Sequence, residues 1–237
     1  MIISYPLRRK IISVVRTLKL MPMVNALNNA RFFVLKKYYL WRGKNPLERI
    51  YNDTFFNIAD TKYTLGTTPA IVARVIDHLY HPKSVVDIGC GCGFYLHALE
   101  KRGIDVCGID GSSAARRNLV IHPDTFLLRD VTKVFSLPRR YDCALCFEVA
   151  EHIPTDKSEV LVDNIVSLSD TVFFTAAPKG QGGHDHINEQ EPQFWVRLFE
   201  QKRYQFLEEE TQEIKKMLTE QNAVFWLREN LLVFQKK

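Results

Sequence analysis

The chain has 237 residues, 46% of them hydrophobic, which is enough to bury the core of one α/β domain with an extension. Its formal charge of +5 is uneven, because residues 1–47 hold ten Lys or Arg and no Asp or Glu, while the rest carries a net charge of −5. The absence of a long apolar run argues against a membrane-spanning protein, and five scattered cysteines argue against a secreted disulfide scaffold, so we expect a cytoplasmic protein.

Residues 1–46 are predicted to form a basic, amphipathic helical extension, followed by one domain over residues 47–237. Apolar and aromatic side chains recur at helical spacing beside the cations of residues 8–44. This pattern suits an anionic surface, either a membrane or a nucleic acid, and would make the protein peripheral to a membrane. The alternative, which we favour, is a helical lid that packs its apolar stripe on the domain. No stable partner is predicted.

From residue 68 onward, helical and strand patterns alternate, which is typical of a parallel sheet. Thr68 is predicted to cap the first helix, with Pro69 at its first position. Strands are expected from Ser84 into a glycine loop, around Cys143 and Cys146, and at 105–110, 125–131, 171–177, 204–208 and 231–237. Helices are expected at 94–102, 112–119, 156–168, 191–202 and 211–220. Since residues three apart in a strand face opposite ways, Cys143 and Cys146 are predicted to be buried thiols rather than a metal clip.

The strand from Ser84 leads into Asp87-Ile88-Gly89-Cys90-Gly91-Cys92-Gly93, directly before a predicted helix. Glycines there let the backbone turn tightly and approach a ligand, and the helix start offers unpaired N–H groups. Asp110 ends the second strand, where a carboxylate can accept both hydroxyl hydrogens of a ribose. A dinucleotide fingerprint needs a small residue where this chain has Phe94. The pattern therefore favours another nucleotide-type cofactor over a dinucleotide or an ordinary strand–turn–helix.

Two further stretches carry polar side chains at the carboxyl edge of the predicted sheet. Glu148-Val149-Ala150-Glu151-His152-Ile153-Pro154 follows the apolar fourth strand. The loop over residues 180–190 follows the fifth strand and contains three glycines with His184, Asp185 and His186. Loops at this edge carry chemistry disproportionately often.

Together, the glycine loop and the 148–154 motif resemble those of class I S-adenosylmethionine-dependent methyltransferases, over roughly residues 66–237. The resemblance implies a Rossmann-like, doubly wound, seven-stranded sheet of order 3-2-1-4-5-7-6 with the last strand antiparallel. It implies S-adenosylmethionine as the cofactor and S-adenosylhomocysteine as its product. The residues that would hold the cofactor by this resemblance are Asp87, Gly89, Gly91, Gly93, Asp110, Asp130 and Glu148. The aromatic segment before the first helix would cover it, with Tyr51, Phe55 and Tyr63 as candidate contacts or, equally, as core residues.

The 180–190 loop resembles that of glycan and natural-product O-methyltransferases within this family. We therefore expect methylation of a hydroxyl of a sugar, glycan or other small molecule. A hydroxyl is a weak acid, so a histidine base is useful, and the candidates in order are His186, His152 and His184. The run His184-Asp185-His186 could instead hold a divalent metal, although no metal site is predicted. The alternatives are methylation of RNA or a membrane-bound lipid precursor recruited by the basic extension, and a non-catalytic cofactor-binding scaffold.

Overall fold

The computed structural model describes residues 34, 51–183 and 185–237, without the side chains of 58–60 and 63. The predicted extension at 1–46, with its cations at residues 8–44, lies outside the described residues apart from Val34. His184 and the side chain of Tyr63 also lie outside them. The predictions for these residues stay predictions.

Seven strands form a single mixed sheet of order β3-β2-β1-β4-β5-β7-β6. The strands are β1 (Ser84–Ile88), β2 (Asp105–Asp110), β3 (Phe126–Leu128), β4 (Cys143–Phe147), β5 (Thr171–Thr175), β6 (Tyr204–Phe206) and β7 (Leu232–Lys236). Strands β1 to β5 pair in parallel, and β7 runs antiparallel to both of its neighbours, β5 and β6. The predicted fold class and strand order are confirmed.

Helices connect most of the strands. They are α1 (Ile58–Leu65), α2 (Thr68–Tyr80), α3 (Phe94–Glu100), α4 (Ser113–Arg117), α5 (Ser158–Leu168), α6 (Pro192–Gln201), α7 (Glu208–Glu220) and α8 (Phe225–Asn230). Short 3₁₀ turns lie at 123–125, 150–152 and 155–157. The periodicity predicts neither α1 nor α8, because both are short and lack a clear apolar stripe. No helix among the described residues is both long and apolar enough to cross a lipid bilayer.

The core consists of two apolar layers, one on each face of the sheet. Successive residues of a strand alternate between them, so that Val85 packs in one layer and Val86 in the other. Cys143 and Cys146 likewise lie in opposite layers, and all five cysteines are free and buried. The prediction that Cys143 and Cys146 are buried thiols on opposite faces of the sheet is confirmed.

The strand predicted over 204–208 ends at Phe206, because Glu208 begins the helix that was predicted to start at residue 211. Two further local predictions were wrong. Thr68 does not cap α2; it is the first residue of that helix, and its buried hydroxyl accepts a hydrogen bond from the Val224 N–H at 2.9 Å. The Thr68 side chain thus gives a hydrogen-bond partner to a backbone N–H in the connection between α7 and α8. Strand β3 covers only Phe126–Leu128, since Thr125 belongs to a 3₁₀ turn and Asp130 accepts hydrogen bonds within a turn of its own.

Candidate active site

The glycine loop between β1 and α3 needs glycine for two separate reasons. Gly89, Gly91 and Gly93 have φ angles of +79°, +54° and +86°, a region that other residues rarely adopt. A Cβ at Gly89 would also lie 2.3 Å from Val149, and one at Gly93 would lie 3.0 Å from Ile121. The Gly89 N–H donates to the Ile109 carbonyl at 2.7 Å, which anchors the loop to β2.

Asp110, at the end of β2, is held against this loop by backbone donors. Its Oδ2 accepts from the Gly91 N–H at 2.9 Å and its Oδ1 from the Ser112 N–H at 2.8 Å. The Ser112 hydroxyl donates in turn to the Tyr51 carbonyl at 2.7 Å. Each carboxylate oxygen has more than one acceptor site, so Asp110 keeps capacity for the hydroxyls of a ligand.

Two acidic side chains, Asp87 and Asp110, lie close together at the glycine loop. Asp87, 2% exposed on β1, has its pKa raised to about 8, mainly by burial and further by the charge of Asp110. Burial also raises the pKa of Asp110, although the backbone donors Ser112 and Gly91 act to lower it. Two neighbouring acids with raised pKa values are best stabilised by a cationic ligand.

Residues 51–56, called the strap below, pack over the glycine loop. The ring of Phe56 lies against Gly91, where a Cβ would come within 3.2 Å of it. The rings of Tyr51 and Phe55 meet edge to face at 5.1 Å, and the guanidinium of Arg117 binds the Asp53 carboxylate at 3.0 Å. This position fits the predicted cofactor cover, while contact of Tyr51 and Phe55 with the cofactor stays a prediction.

Asp130 lies beyond the end of β3 and is engaged within its own turn. Its Oδ1 accepts from the N–H and the hydroxyl of Thr132 at 3.0 and 2.6 Å, and its Oδ2 lies 3.4 Å from Lys133 Nζ. Partial burial raises the pKa of Asp130, but the bonds from Thr132 and Lys133 outweigh it and lower the pKa overall. The predicted role of Asp130 toward adenine stays a prediction, and the structure gives its carboxylate a structural task as well.

Glu148 begins the segment after β4 with a φ of +55°, and its N–H donates to the Thr175 hydroxyl at 2.9 Å. Its carboxylate accepts from Gln181 Nε2 at 3.3 Å and from Asn230 Nδ2 at 3.2 Å. Glu148 therefore joins the end of β4 to the 180–190 loop and to α8. Sequence reasoning did not identify Gln181 and Asn230 as its partners.

His186 is buried in the 180–190 loop and paired with an acid. Its Nδ1 lies 2.9 Å from Oε1 of Glu189. Oε1 also accepts from the Gly182 N–H at 2.7 Å, and Oε2 accepts from the Gly180 N–H at 2.8 Å. Burial raises the pKa of Glu189, but the bonds from His186 and the two glycines outweigh it and lower the pKa overall. Glu189 is thus an ionised acceptor that fixes the ring, with Nδ1–H as the donor.

His152, in the 3₁₀ turn after β4, lies beside His186. Their rings meet edge to face with centroids 4.9 Å apart, and the Tyr51 ring lies 5.9 Å from His152 on the strap side. The Nδ1 of His152 lies 3.4 Å from the Asp185 carbonyl. The structure therefore brings together the first two histidine candidates and places the strap next to them.

Glu151 completes this group. It is fully buried, and the ligand atoms of Glu151, His152 and His186 lie within 4.8 Å of one another. Burial raises the pKa of Glu151 well above its usual value, and the nearby Glu148 raises it further. Sequence analysis gave no role to Glu151 or Glu189. The signal was a spacing of three residues, from Glu148 to Glu151 and from His186 to Glu189.

With this geometry in hand, comparison with known proteins gives a consistent result. Residues 62–222 match the model of a family described as a methyltransferase domain. The magnesium-protoporphyrin O-methyltransferase of Synechocystis is 26% identical over 163 residues, which span 63% of this chain and 70% of that enzyme. A ubiquinone biosynthesis O-methyltransferase of Psychrobacter arcticus is 28% identical over 107 residues, which span 41% of this chain and only 38% of that enzyme.

The fold is shared with solved structures. The crystal structure of magnesium-protoporphyrin IX methyltransferase from Synechocystis with bound S-adenosylmethionine superposes with a TM-score of 0.51 at 22% identity. The superposition covers 74% of this chain and 86% of that one.

Proposed function

We propose that this chain, which belongs to the methyltransferase domain family, transfers the methyl group of S-adenosylmethionine to a hydroxyl of a sugar, glycan or other small molecule, with histidine as the base. Because it belongs to this family, the chain is an S-adenosylmethionine-dependent methyltransferase. The observation that carries the finer proposal is the buried pair of His186 and Glu189 beside His152.

The glycine loop suits the cofactor. Gly89, Gly91 and Gly93 allow close approach of a ligand, and the Asp110 carboxylate keeps acceptor capacity for the hydroxyls of a ribose. The pKa values of Asp87 and Asp110 are raised in the chain alone, and a bound ammonium or sulfonium group would favour their ionised forms. When bound, S-adenosylmethionine supplies a methyl group on a cationic sulfur and is released as S-adenosylhomocysteine.

The histidines suit removal of a proton from a hydroxyl. Because Nδ1–H of His186 donates to Glu189, its Nε2 is the nitrogen that can accept a proton. The ionised Glu189 would stabilise the imidazolium that forms. His152 is the second candidate, because donation from its Nδ1 to the Asp185 carbonyl, 3.4 Å away, would leave its Nε2 to accept the proton.

Oxygen as the acceptor atom is supported by the names of two relatives, both O-methyltransferases. The match to the second covers less than half of that enzyme, so its activity as a whole is not transferred to this chain. The sugar or glycan class rests on the resemblance of the 180–190 loop.

A transfer assay with radiolabelled S-adenosylmethionine tests the proposal. A panel of hydroxylated sugars, glycans and phenols is supplied, and the products are analysed by mass spectrometry for an O-methyl group. We expect His186→Ala to lower turnover by about 10²-fold or more, as for loss of a general base, and the exposed His122→Ala to leave turnover unchanged. Products methylated only on nitrogen or carbon would overturn the hydroxyl assignment, and full turnover in both His186→Ala and His152→Ala would overturn the base.

The basic extension supports an alternative proposal, in which the acceptor is RNA or a membrane-bound lipid precursor recruited by residues 8–44. Deletion of residues 1–46 would then abolish binding to the acceptor and its dependence on salt concentration. Unchanged association of the truncated chain would contradict recruitment by this segment. A chain that binds the cofactor but transfers no methyl group to any acceptor would instead be a scaffold.

A further inference from the structure

We propose that Glu151, His152 and His186 form a binding site for one divalent transition-metal cation of the Mn²⁺ or Zn²⁺ class. Binding of the cation depends on the arrangement of these three side chains. Its catalytic role rests on the proposed function.

The first support is Glu151 itself. The residue is fully buried, and neither of its carboxylate oxygens accepts a well-formed hydrogen bond among the described residues, although the Ala177 backbone and the Glu148 carboxyl lie close to them. Its main chain is fixed, because its carbonyl accepts from the N–H groups of Ile187 and Asn188 at 2.8 and 3.0 Å. A buried carboxylate without partners is costly, whereas a bound cation would satisfy both its charge and its lone pairs.

The second support is the orientation of the two histidines. Each ring directs Nδ1 to an acceptor, the Glu189 carboxylate for His186 and the Asp185 carbonyl for His152. This leaves Nε2 as the unprotonated nitrogen of each ring. Histidine ligands in metal sites are oriented in this way, with the other ring nitrogen donating to a carboxylate or a carbonyl. The two rings, with centroids 4.9 Å apart, thus bring two nitrogen donors and the Glu151 carboxylate into one cluster.

The distances leave room for a cation. The three ligand atoms lie within 4.8 Å of one another. Ligands about 2.0–2.1 Å from a tetrahedral ion are roughly 3.4 Å apart, so side-chain shifts of about 1 Å would close the site. Three protein ligands leave at least one coordination position for a hydroxyl of the acceptor.

The donor set selects the class of metal. Two imidazole nitrogens and one carboxylate suit Zn²⁺, Mn²⁺, Fe²⁺ and Co²⁺, while Mg²⁺ and Ca²⁺ prefer all-oxygen sites. The second carboxylate nearby, on Glu148, adds negative charge to the same region. We therefore expect Mn²⁺ and Zn²⁺ to bind more tightly than Mg²⁺.

A cation at this position would lower the pKa of an acceptor hydroxyl placed beside it. The hydroxyl oxygen then forms the C–O bond with the methyl carbon, the C–S electron pair goes to sulfur, and the hydroxyl proton passes to water. In this form His152 and His186 act as ligands, so the metal would replace the histidine base of the proposed function while the methyl transfer to a hydroxyl stays the same.

Metal binding is measured directly on the full chain after treatment with a chelator and removal of the chelator. Titration calorimetry with MnCl₂ or ZnCl₂, with metal analysis of the dialysed protein, should give one ion per chain. Glu151→Gln keeps the shape of the side chain and removes its charge, so we expect a loss of affinity of at least tenfold. His152→Gln should have a similar effect, and the exposed His122→Gln should bind as the wild type does.

Thermal unfolding separates loss of a ligand from loss of the fold. Added Mn²⁺ should raise the melting temperature of the wild type but not of Glu151→Gln, whose metal-free form should be at least as stable as the metal-free wild type. Absence of stoichiometric binding by the wild type, or unchanged affinity in Glu151→Gln, would overturn the proposal. Methyl transfer to a hydroxyl by metal-free protein that binds no ion would refute the site and leave the proposed function intact. Metal binding without any O-methyl product would support the site and overturn the proposed function.

Discussion

The side chain of Val149 lies directly against Gly89, so that a Cβ at residue 89 would come within 2.3 Å of Val149 Cγ2. The glycine loop and the 148–154 motif are distant in sequence, but they follow β1 and β4, which are neighbouring parallel strands. The carboxyl ends of such strands meet at one edge of the sheet. The contact therefore links the glycine loop with the segment that carries Glu151 and His152.

Gly89→Ala is expected to lose cofactor binding and stability. Both φ strain and the clash contribute, at roughly 1–2 kcal/mol and 1–3 kcal/mol. Gly103→Ala is the matched control, because its φ of +81° imposes similar strain and nothing lies within 4 Å of its Cβ. Denaturant unfolding and calorimetry with S-adenosylmethionine measure the two effects. Adding Val149→Ala should recover part of the loss in Gly89→Ala, and an equal loss in the Gly103 variant would contradict the role of the contact.

Asp87→Asn is expected to flatten the dependence of stability on pH. The pKa of Asp87 is about 8 in the folded chain and near 3.8 when unfolded. Between these values the unfolded state has released a proton that the folded state keeps, so stability falls as pH rises from about 4 to 8. One proton corresponds to a slope of at most about 1.4 kcal/mol per pH unit.

The free energy of unfolding of the cofactor-free chain, measured in urea between pH 5 and pH 8, checks this expectation. The Asn variant should lack the part of the slope due to residue 87 and should also bind S-adenosylmethionine more weakly. Asp156→Asn, at an exposed carboxylate, serves as the control. Parallel stability curves for the wild type and Asp87→Asn would refute a raised pKa at this position.

The parts of the molecule that follow from local sequence were predictable. The glycines at 89, 91 and 93 and the acid at Asp110 mark the turn after the first strand, and the family resemblance gives the strand order. The pairing of His186 with Glu189 depends on the conformation of the 180–190 loop, and the approach of His152 to His186 depends on how the loops after β4 and β5 fold together. Thr68 shows the same limit, since its hydroxyl binds a backbone group 156 residues away rather than its own helix.

Glu189→Gln is expected to lower kcat by about 10- to 100-fold with little change in the affinity for S-adenosylmethionine. The amide keeps the size of the side chain but loses the charge that orients His186, while Asp110 and the glycine loop are untouched. Steady-state kinetics and calorimetry separate the two quantities. Glu191→Gln, an exposed neighbour, is the control, and Glu189→Asp should retain more activity than the amide. A loss of cofactor affinity equal to the loss of kcat would indicate a collapsed loop rather than a misoriented histidine.

Phe56→Ala is expected to weaken cofactor binding by roughly tenfold or more, because the strap depends on this ring to pack against Gly91. Phe56 is 8% exposed and clusters with Cys92 of the glycine loop and with Ala114 and Ala115. A Phe→Ala change in a fully packed core lowers the free energy of unfolding by about 3–5 kcal/mol. Because the strap covers the glycine loop from one side only, Phe56→Ala should lower it by less.

Calorimetry with S-adenosylmethionine and denaturant unfolding, performed on the same preparations, measure both effects of the Phe56 change. Phe225→Ala, at a ring that is 43% exposed on α8, is the matched control and should leave cofactor affinity unchanged. Cofactor affinity that is unchanged in Phe56→Ala would show that the strap does not cover the cofactor. A fall in affinity accompanied by an equal loss of unfolding free energy would assign Phe56 to the core instead.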